Sequence, residues 1–375
     1  MRALRWHGRR DVRLEDVDDA PVPGPDEVRV AVEWCGICGT DLEEYTDGPI
    51  IIPTEPHPLT GLQAPMIIGH EVSGRVRDVG DGVDGLEPGQ LVAIDGLLSC
   101  GRCRACREHT PVLCPRWASI GMALPGGLAE QLTVPAHLVV PASAEVASDE
   151  LALAEPLSVA VRALRRGRLQ PEDRVAVLGG GTIGLAVLQV ARALGTSRVA
   201  VVDPLPFRRD MATRLGAAAA MSPDEDVAEA LPDPEGLGPD LVVDCTGIPD
   251  GPAAAVSLAR PGGRVVLVGI SPSATRFDFN SVVLREIDVI GSLSHVYDED
   301  FASAVELIST GRVDTASMIT HRVPLERAVE DGIAFLAGLH RSEALKILIR
   351  PGCDSCPGIG PQGGPIPNPN RIGAG

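Results

Sequence analysis

The sequence predicts an α/β protein in which a small β-rich domain accompanies a doubly wound parallel sheet. Three observations support this fold class. Up to about residue 150, strand-like segments alternate with Gly- and Pro-rich turns; from about 153 to 291, continuous apolar runs alternate with helical segments; and a glycine-rich turn follows the first of these runs. The alternation implies right-handed crossovers between parallel strands.

The first 150 residues contain three clear strand patterns. They are EVRVAV near 27 to 32, EVSGRVRDV near 71 to 79 and QLVAI near 90 to 94. Short strands of this kind, separated by turn residues, predict a barrel-like β domain.

The middle of the chain contains five apolar runs with the continuous hydrophobicity of strands buried on both faces. These are RVAVLG, RVAVVD, DLVVDC, GRVVLVG and IDVIG. Helical patterns near 298 to 309 and 324 to 337 then precede a strand at ALKILIR, which we expect to return to the first domain. The predicted division is therefore a β-rich domain of residues 1–152 and 292–350, and a doubly wound domain of residues 153–291.

Residues 351–375 contain almost no apolar side chains, and this composition predicts a disordered tail. Cys353 and Cys356 within it form a C-x2-C pair that is open to two interpretations. The pair is a metal clip or redox pair, or it has no such role, because a closed zinc site needs four ligands and no second pair accompanies it.

Charge and hydropathy restrict the classes of partner. The net charge is −18 at pH 7 without a basic cluster, so the surface should repel nucleic acid and anionic membranes. The sequence shows no secretory segment and no run of about 18 apolar residues, which favours a cytoplasmic protein without membrane contact. A small-molecule partner is therefore expected.

Four cysteines occur in one short segment. Cys100, Cys103, Cys106 and Cys114 have the spacing C-x2-C-x2-C-x7-C. Thiolates this close can fill a tetrahedral coordination sphere, as structural zinc requires. Disulfides are the alternative, but nine cysteines in 375 residues is a low density for a disulfide scaffold. The segment therefore predicts a structural zinc site.

The run RVAVLGGGTIG predicts a dinucleotide site. Its glycines, Gly179, Gly181 and Gly184, have the spacing G-x-G-x-x-G between a strand and a helix. Glycines permit a tight turn and a close approach of the backbone. The helix N-terminus around Thr182 and Ile183 offers unpaired N–H groups to a pyrophosphate.

Asp203 ends the next strand of the nucleotide site. A carboxylate there accepts hydrogen bonds from both ribose hydroxyls and repels a 2′-phosphate, which favours NAD over NADP. Arg208 and Arg209 follow closely and either accommodate a phosphate or lie in solvent at a helix start. Further candidates lie at the ends of later strands, where the nicotinamide would lie. They are Thr246, Val268, Gly269 and Ile270. The alternative is that these residues only pack within their strands.

A second metal site is suggested by three ligand-type side chains in separate segments. Cys38 in WCGICGTDLEEY, His70 in GHE and Glu155 in AEPLSV supply a thiolate, an imidazole and a carboxylate. Three protein ligands leave a coordination position open, as catalytic zinc requires. Spacing alone does not distinguish such a ligand set from an ordinary histidine and a buried cysteine.

The combination of CGICGTD, GHE, the four-cysteine segment, AEPLSV and GGGTIG resembles the zinc-dependent medium-chain dehydrogenases, the alcohol dehydrogenase family, over residues 1 to 350. The resemblance implies a GroES-like catalytic domain, a Rossmann domain that binds NAD, and two zinc ions per chain. It also implies that Cys38, His70 and Glu155 bind the catalytic zinc. Glu71 matches an exchangeable neighbour of these ligands, and Thr40 matches the hydroxyl that hydrogen-bonds the substrate oxygen. Cys35 matches no ligand.

The segment DGPIIIPTEPHPLTGLQAPMIIGHE is similar to that of 2,3-butanediol dehydrogenases. The resemblance therefore implies hydride transfer between NAD(H) and a small secondary alcohol or ketone, with 2,3-butanediol and acetoin as the leading pair. A polyol, aminocyclitol or specialised-metabolite dehydrogenase or ketoreductase is the alternative on the same scaffold. A nucleotide-binding protein without turnover, and an epimerase or lyase that uses NAD transiently, are further alternatives.

Two parts of this pattern are specific to the chain or its subfamily. Many relatives have histidine where this chain has Glu43. If the Glu43 carboxylate is buried, it can be the terminal base of a proton relay; the alternative is that it is a solvated side chain.

We expect the inserted segment to form a rim over the substrate pocket, with His57 shaping the loop rather than binding substrate. In relatives the last sheet strand, here near 287–292, pairs across a two-fold axis, which implies a homodimer or homotetramer.

Overall fold

The computed structural model describes residues 1–231, 236–271, 273–274, 276, 278–338 and 342–352. The predicted tail and its Cys353 and Cys356 lie outside these residues. The strands are β1 (Arg2–Gly8), β2 (Asp11–Asp16), β3 (Glu27–Gly36), β4 (Met66–Ile67), β5 (Glu71–Val79), β6 (Leu91–Ile94), β7 (Leu97–Leu98), β8 (Ala118–Ser119), β9 (Gln131–Pro135), β10 (Val139–Pro141), β11 (Val175–Leu178), β12 (Val199–Val202), β13 (Ala219–Met221), β14 (Leu241–Asp244), β15 (Arg264–Leu267), β16 (Asp288–Gly291), β17 (Ile319–Pro324) and β18 (Lys346–Arg350).

Helices connect most of the later strands. They are α1 (Gly39–Asp47), α2 (Arg104–Arg107), α3 (Ser148–Leu151), α4 (Ala154–Arg166), α5 (Thr182–Ala193), α6 (Pro206–Arg214), α7 (Val227–Ala230), α8 (Gly251–Leu258), α9 (Phe279–Leu284), α10 (Ala302–Ser309) and α11 (Phe335–Ala337). None of the described helices is long and apolar enough to cross a membrane.

The β-rich part of the chain is built on a seven-stranded sheet. Its strands run in the order β10-β6-β5-β3-β18-β17, and β9 also pairs with β3. A smaller sheet, β2-β1-β4, packs beside it through a shared apolar core that includes Trp6 and Val30. The three strands predicted from the first 150 residues correspond to β3, β5 and β6.

The second large sheet has six parallel strands in the order β13-β12-β11-β14-β15-β16. Along β11, Val175 and Val177 belong to one apolar cluster and Ala176 and Leu178 to another. Because successive side chains of a strand point to opposite faces, the sheet is covered on both sides at β11, which is why this strand is apolar at every position. The predicted α/β class, with a β-rich domain and a doubly wound parallel sheet, is confirmed.

After β16 the chain returns to the seven-stranded sheet, where β18 pairs with β3 and with β17. β17 was not among the predicted strands. Only Ile319 and Val323 are buried apolar residues in it, and the residues between them are polar and at least partly exposed, so its sequence lacks a clear strand pattern. The second predicted helical stretch consists of a 3₁₀ turn (325–327), a π-helical segment (328–334) and α11 rather than one helix.

Candidate active site and metal centres

Cys38 and His70 meet because two neighbouring antiparallel strands end at the same place. β3 pairs with β5 so that Gly36 lies opposite Glu71. Cys38 follows β3 and His70 precedes β5, so the pairing brings both side chains to one end of the sheet. Cys38 is also the N-cap of α1, and its sulfur lies 3.7 Å from the Oγ1 of Thr40.

The imidazole of His70 is buried among negative groups. Its Nδ1 lies 3.7 Å from Oδ1 of Asp41, and neither atom has a hydrogen-bond partner among the described residues. Burial by itself lowers the pKa of His70, but Asp41 and Cys38 raise it well above its usual value. The surroundings of His70 therefore stabilise positive charge, which is what a cation site requires.

Glu71 is held by a buried ion pair. Both of its carboxylate oxygens lie 2.7 Å from Nζ of Lys346, the single lysine of the chain, and the same Nζ donates to the carbonyl oxygen of Ile37 at 3.0 Å. Burial alone lowers the pKa of Lys346, but the Glu71 carboxylate raises it above its usual value. The three N–H groups of the ammonium thus have three acceptor atoms.

Glu155 lies in the first turn of α4, the helix that leads into the parallel sheet. Its carboxyl is mostly buried, and burial raises its pKa although His70 and His295 oppose this. Its Oε1 lies 3.6 Å from Nδ1 of His295. The other ring nitrogen of His295, Nε2, lies 2.7 Å from Oδ1 of Asp95.

The four cysteines form a compact cluster. The sulfur atoms of Cys100, Cys103, Cys106 and Cys114 all lie within 4.8 Å of one another. Backbone N–H groups, first that of Arg102, lower the pKa of Cys100 to about 5, which favours the thiolate that zinc binds. In the described part of the chain, no other group of three or more His, Cys, Asp or Glu side chains is this close. Cys38, His70 and Glu155 therefore form a more open set.

The glycine-rich turn has the geometry that the motif requires. Gly179 has φ +94°, which favours glycine, and a Cβ on Gly184 would lie 1.8 Å from the carbonyl oxygen of Gly179. Gly181 is the N-cap of α5. Thr182 donates its hydroxyl to the carbonyl oxygen of Leu345 at 2.9 Å, which connects the turn to the chain just before β18.

Asp203 follows β12 and faces the same turn. Its Oδ2 accepts from the backbone N–H of Gly180 and its Oδ1 from that of Leu205, both at 2.8 Å. The guanidinium of Arg208 lies 3.3 Å from Oδ2, whereas that of Arg209 donates to the carbonyl oxygen of Asp203. Both arginines are therefore engaged by the protein, and the carboxylate keeps further lone pairs for ribose hydroxyls.

A single cleft of about 990 Å³ connects the two parts of the chain. Cys38 and Glu71 line one side, and the glycine-rich turn and Asp203 line the other. The predicted residues that line it are Cys38, Glu43, Glu71, Gly179, Gly181, Thr182, Ile183, Asp203, Thr246, Gly269 and Ile270. Thr40, His70, Glu155, Gly184 and Val268 do not line it. Gly184 packs instead against Gly179, and Val268 packs against the core.

Apart from Glu71 at its end, the inserted segment does not line this cleft, which differs from the rim that we expected. Glu44, a buried residue of α1, accepts hydrogen bonds from the backbone N–H groups of Ile50, Ile51 and Ile52 and so fixes the start of the segment. His57 Nδ1 accepts from the N–H groups of residues 59 and 60, at 3.3 and 3.4 Å. These bonds give His57 a turn-forming role, as expected.

Glu43 is exposed at the cleft, so the burial that the relay hypothesis requires is not found. Sequence reasoning also missed five side chains of the site, namely Asp41, Glu44, Asp95, His295 and Lys346. Asp41 had a local signal, because it directly follows Thr40 in GTD. Lys346 had one in being the single lysine, within an apolar strand. The other three had none, because their partners are defined only by the fold.

Two family models match the chain. The alcohol dehydrogenase GroES-like domain matches residues 24–144, and the zinc-binding dehydrogenase domain matches residues 182–310. Among curated relatives, (R,R)-butanediol dehydrogenase of Bacillus subtilis is 33% identical, over 94% of this chain and 100% of its own. Sorbitol dehydrogenase of Arabidopsis thaliana is 34% identical, over 88% of this chain and 89% of its own.

Solved structures give the same result. 2R,3R-butanediol dehydrogenase from Bacillus subtilis superposes with a TM-score of 0.85 and 32% identity, over 94% of this chain and 99% of that one. A structure from Sinorhizobium meliloti 1021 bound to NADP superposes with a TM-score of 0.83 and 30% identity, over 93% of this chain and 99% of that one. An alcohol dehydrogenase from Escherichia coli CFT073 with NADH superposes with a TM-score of 0.82 and 28% identity, over 93% of this chain and 99% of that one.

Proposed function

The chain belongs to the zinc-binding alcohol dehydrogenases, and we propose that it interconverts a small vicinal diol and the corresponding hydroxyketone with NAD(H). The domain division proposed with this function is residues 1–152 and 292–350 for the catalytic domain and 153–291 for the nucleotide domain. The activity class follows from the family. We propose the substrate, the preference for NAD and the roles of the individual residues.

The observation that carries the proposal is the shared cleft. One space of about 990 Å³ is lined both by Cys38 and by the turn formed by Gly179, Gly181 and Thr182. A dinucleotide lying across such a turn places its far end toward the opposite wall. The cleft therefore offers one site where a cofactor and a side chain that binds metal face the same substrate.

We assign Cys38, His70 and Glu155 as the ligands of a catalytic zinc, with Glu71 as an exchangeable neighbour. The donor set fits the ion, because a thiolate, an imidazole and a carboxylate are its usual ligands. The unpartnered Nδ1 of His70, facing Asp41 at 3.7 Å, fits a ring whose other nitrogen binds the metal. When bound, zinc supplies Lewis-acid polarisation of the alcohol oxygen, and NAD supplies the hydride acceptor.

The protein's own groups then orient the substrate and handle its proton. The hydroxyl of Thr40, at 3.7 Å from the Cys38 sulfur, accepts a hydrogen bond from the alcohol and, as it takes up that proton, releases its own toward the cleft. Glu43 is exposed, so water at the cleft receives this proton with at most a modest contribution from the carboxylate. The glycine-rich turn holds the pyrophosphate and so sets the distance between the cofactor and the carbinol carbon.

The preference for NAD rests on Asp203. Its buried carboxylate faces Gly180 of the turn, where a ribose lies in folds of this type. A 2′-phosphate there would be repelled by the carboxylate, although Arg208 at 3.3 Å reduces this repulsion. We assign Thr246, Gly269 and Ile270, which also line the cleft, to the nicotinamide half of the cofactor.

The four-cysteine cluster is proposed to hold a second, structural zinc. Four sulfur atoms within 4.8 Å of one another fill a tetrahedral site and leave no open position. The cluster lies in a segment with little regular structure, between β7 and β8, so the metal replaces a hydrophobic core for this part of the chain.

We further propose that the chain forms a homodimer or homotetramer through β16. This strand pairs with β15 alone among the described strands and so forms an edge of the parallel sheet. Apolar side chains of α9, which precedes this strand, and of Leu293, which follows it, are exposed, namely Phe279 at 70%, Val283 at 72%, Leu284 at 84% and Leu293 at 47%. An exposed edge with apolar neighbours favours pairing with a second copy.

A polyol dehydrogenase is the second candidate, because the sorbitol dehydrogenase relative is as similar as the butanediol dehydrogenase. We propose to measure NADH or NADPH formation with vicinal diols, simple secondary alcohols and sugar alcohols, each with NAD and with NADP. The expected result is a preference for 2,3-butanediol and NAD. A preference for sugar alcohols would favour the second candidate, and no reduced cofactor from any substrate would overturn both.

Metal content is tested on the same protein. We expect two zinc ions per chain in the wild type and one in Cys38→Ala. Cys35→Ala is the matched control, because Cys35 is a buried neighbour on β3 that matches no ligand, and it should retain both ions. Loss of zinc from Cys35→Ala, or retention of both ions by Cys38→Ala, would contradict the ligand assignment.

A further inference from the structure

Glu155 faces a buried pair of titratable side chains that no sequence motif identifies. His295 lies just after β16 of the parallel sheet, and Asp95 lies just after β6 of the seven-stranded sheet. Their side chains are 2% and 1% exposed, and His295 Nε2 lies 2.7 Å from Asp95 Oδ1. Two hundred residues separate them in sequence, so the contact exists only because the two sheets meet here.

The contacts of His295 fix the direction of its ring. Asp95 Oδ1 also accepts from the backbone N–H of Leu97 at 2.8 Å, which holds the carboxylate in place. The ring packs against Phe301 with centroids 5.4 Å apart, and Ser294 Oγ lies 3.3 Å from Nδ1. With Nε2 bound to Asp95, the ring cannot turn without breaking a buried hydrogen bond, and Nδ1 stays directed toward Glu155.

His295 is the one cationic or imidazole side chain within 4.0 Å of the Glu155 carboxylate in the described chain, with Nδ1 at 3.6 Å from Oε1. The Glu155 carboxylate lies at the first turn of α4, where its side chain has several rotamers. A fixed partner on one side of a carboxylate selects one of these. Groups that orient a ligand in this way commonly affect metal affinity by about 10- to 100-fold.

We propose that Asp95 and His295 are positioning residues, which hold the carboxylate of Glu155 in the direction required to bind metal. This inference rests on the proposed role of Glu155 as a zinc ligand. In the proposed division Asp95 and His295 belong to the catalytic domain, whereas Glu155 belongs to the nucleotide domain. The ligand is thus oriented only when both domains are assembled.

The test uses the protein with Co²⁺ in place of the catalytic metal. The visible absorption bands of Co²⁺ report ligand geometry, and competition with a chelator gives the dissociation constant. His295→Gln places an amide near Nε2 and keeps the contact with Asp95, whereas His295→Asn places one near Nδ1, facing Glu155. If the pair acts by positioning, His295→Gln shifts the Co²⁺ spectrum and weakens binding about 10- to 100-fold, while His295→Asn remains closer to wild type.

If the pair only joins the two sheets, the effects of the two variants are reversed: His295→Gln, which keeps the contact with Asp95, retains the wild-type spectrum and affinity, and the inference is overturned. Asp95→Asn should show a smaller shift in the same direction as His295→Gln, and an unchanged spectrum would count against the role of Asp95. His321→Phe is the matched control, because His321 also packs against a phenylalanine, with centroids 5.3 Å apart, but does not contact Glu155. A wild type that binds metal only at the four cysteines would instead refute the proposed function.

Discussion

Lys346→Met tests the buried ion pair beneath the active site. The substitution keeps the length and apolar stem of the side chain and removes the ammonium that contacts both oxygens of Glu71 at 2.7 Å. The side chains of Lys346 and Glu71 are 4% and 1% exposed. The variant therefore leaves a carboxylate without its counter-charge in a place that water does not reach.

The expected loss of unfolding free energy is about 3 to 5 kcal/mol, because that is the usual cost of removing one member of a buried pair. The measurement is urea unfolding of the zinc-loaded protein, followed by tryptophan fluorescence. Arg327→Met is the control. Its pair with Asp331 is similarly short, at 2.7 Å, but the side chains are 54% and 46% exposed, so we expect a much smaller loss than for Lys346→Met. Adding Glu71→Leu to Lys346→Met should recover most of the loss, since no charge then remains unpaired.

The pH dependence follows from the raised pKa of Lys346. Because the pKa in the folded state lies above the ordinary lysine value of 10.5, the stabilisation is complete below pH 10.5 and is lost as the pH rises through the folded-state pKa. The difference between wild type and Lys346→Met should thus be constant from about pH 6 to 9 and shrink above about pH 10.5. A loss no larger than that of Arg327→Met, or a difference that shrinks near neutral pH, would refute this reasoning.

Three further predictions concern the other sites. Cys103→Ser should lower the zinc content from two ions to one and reduce the melting temperature, whereas Cys245→Ala, outside the cluster, should keep both ions by elemental analysis. Gly184→Ala should weaken NADH binding about tenfold or more in a fluorescence titration, because its Cβ would lie 1.8 Å from the Gly179 carbonyl oxygen; Gly8→Ala, which meets no atom within 4 Å, should have no effect. Asp203→Asn should lower kcat/KM with NAD about 10- to 100-fold and with NADP much less, and an equal fall with both cofactors would contradict the role of Asp203 in selecting NAD.

Features that depend on local pattern could be predicted from the amino-acid sequence. The strands at the centre of the parallel sheet were predictable because a strand covered on both faces must be apolar at every position, as β11 and β12 are. The glycine-rich turn was predictable because a positive φ at Gly179 and the close packing of Gly184 exclude other residues. The four-cysteine cluster was predictable because its members lie close together along the chain. The catalytic ligand set is still a prediction, since its residues form a more open group.

The contacts between charged groups, in contrast, depend on the three-dimensional fold. Lys346 and Glu71 are 275 residues apart, and His295 and Asp95 are 200 apart, so no local periodicity links them. The pairing of β18 with β3 and of β3 with β5 brings the first pair together, and the junction of the two sheets brings the second. Strand register and sheet contact are set by the packing of the whole core, and for this reason the buried ion pairs around the candidate metal site could not be deduced from the sequence.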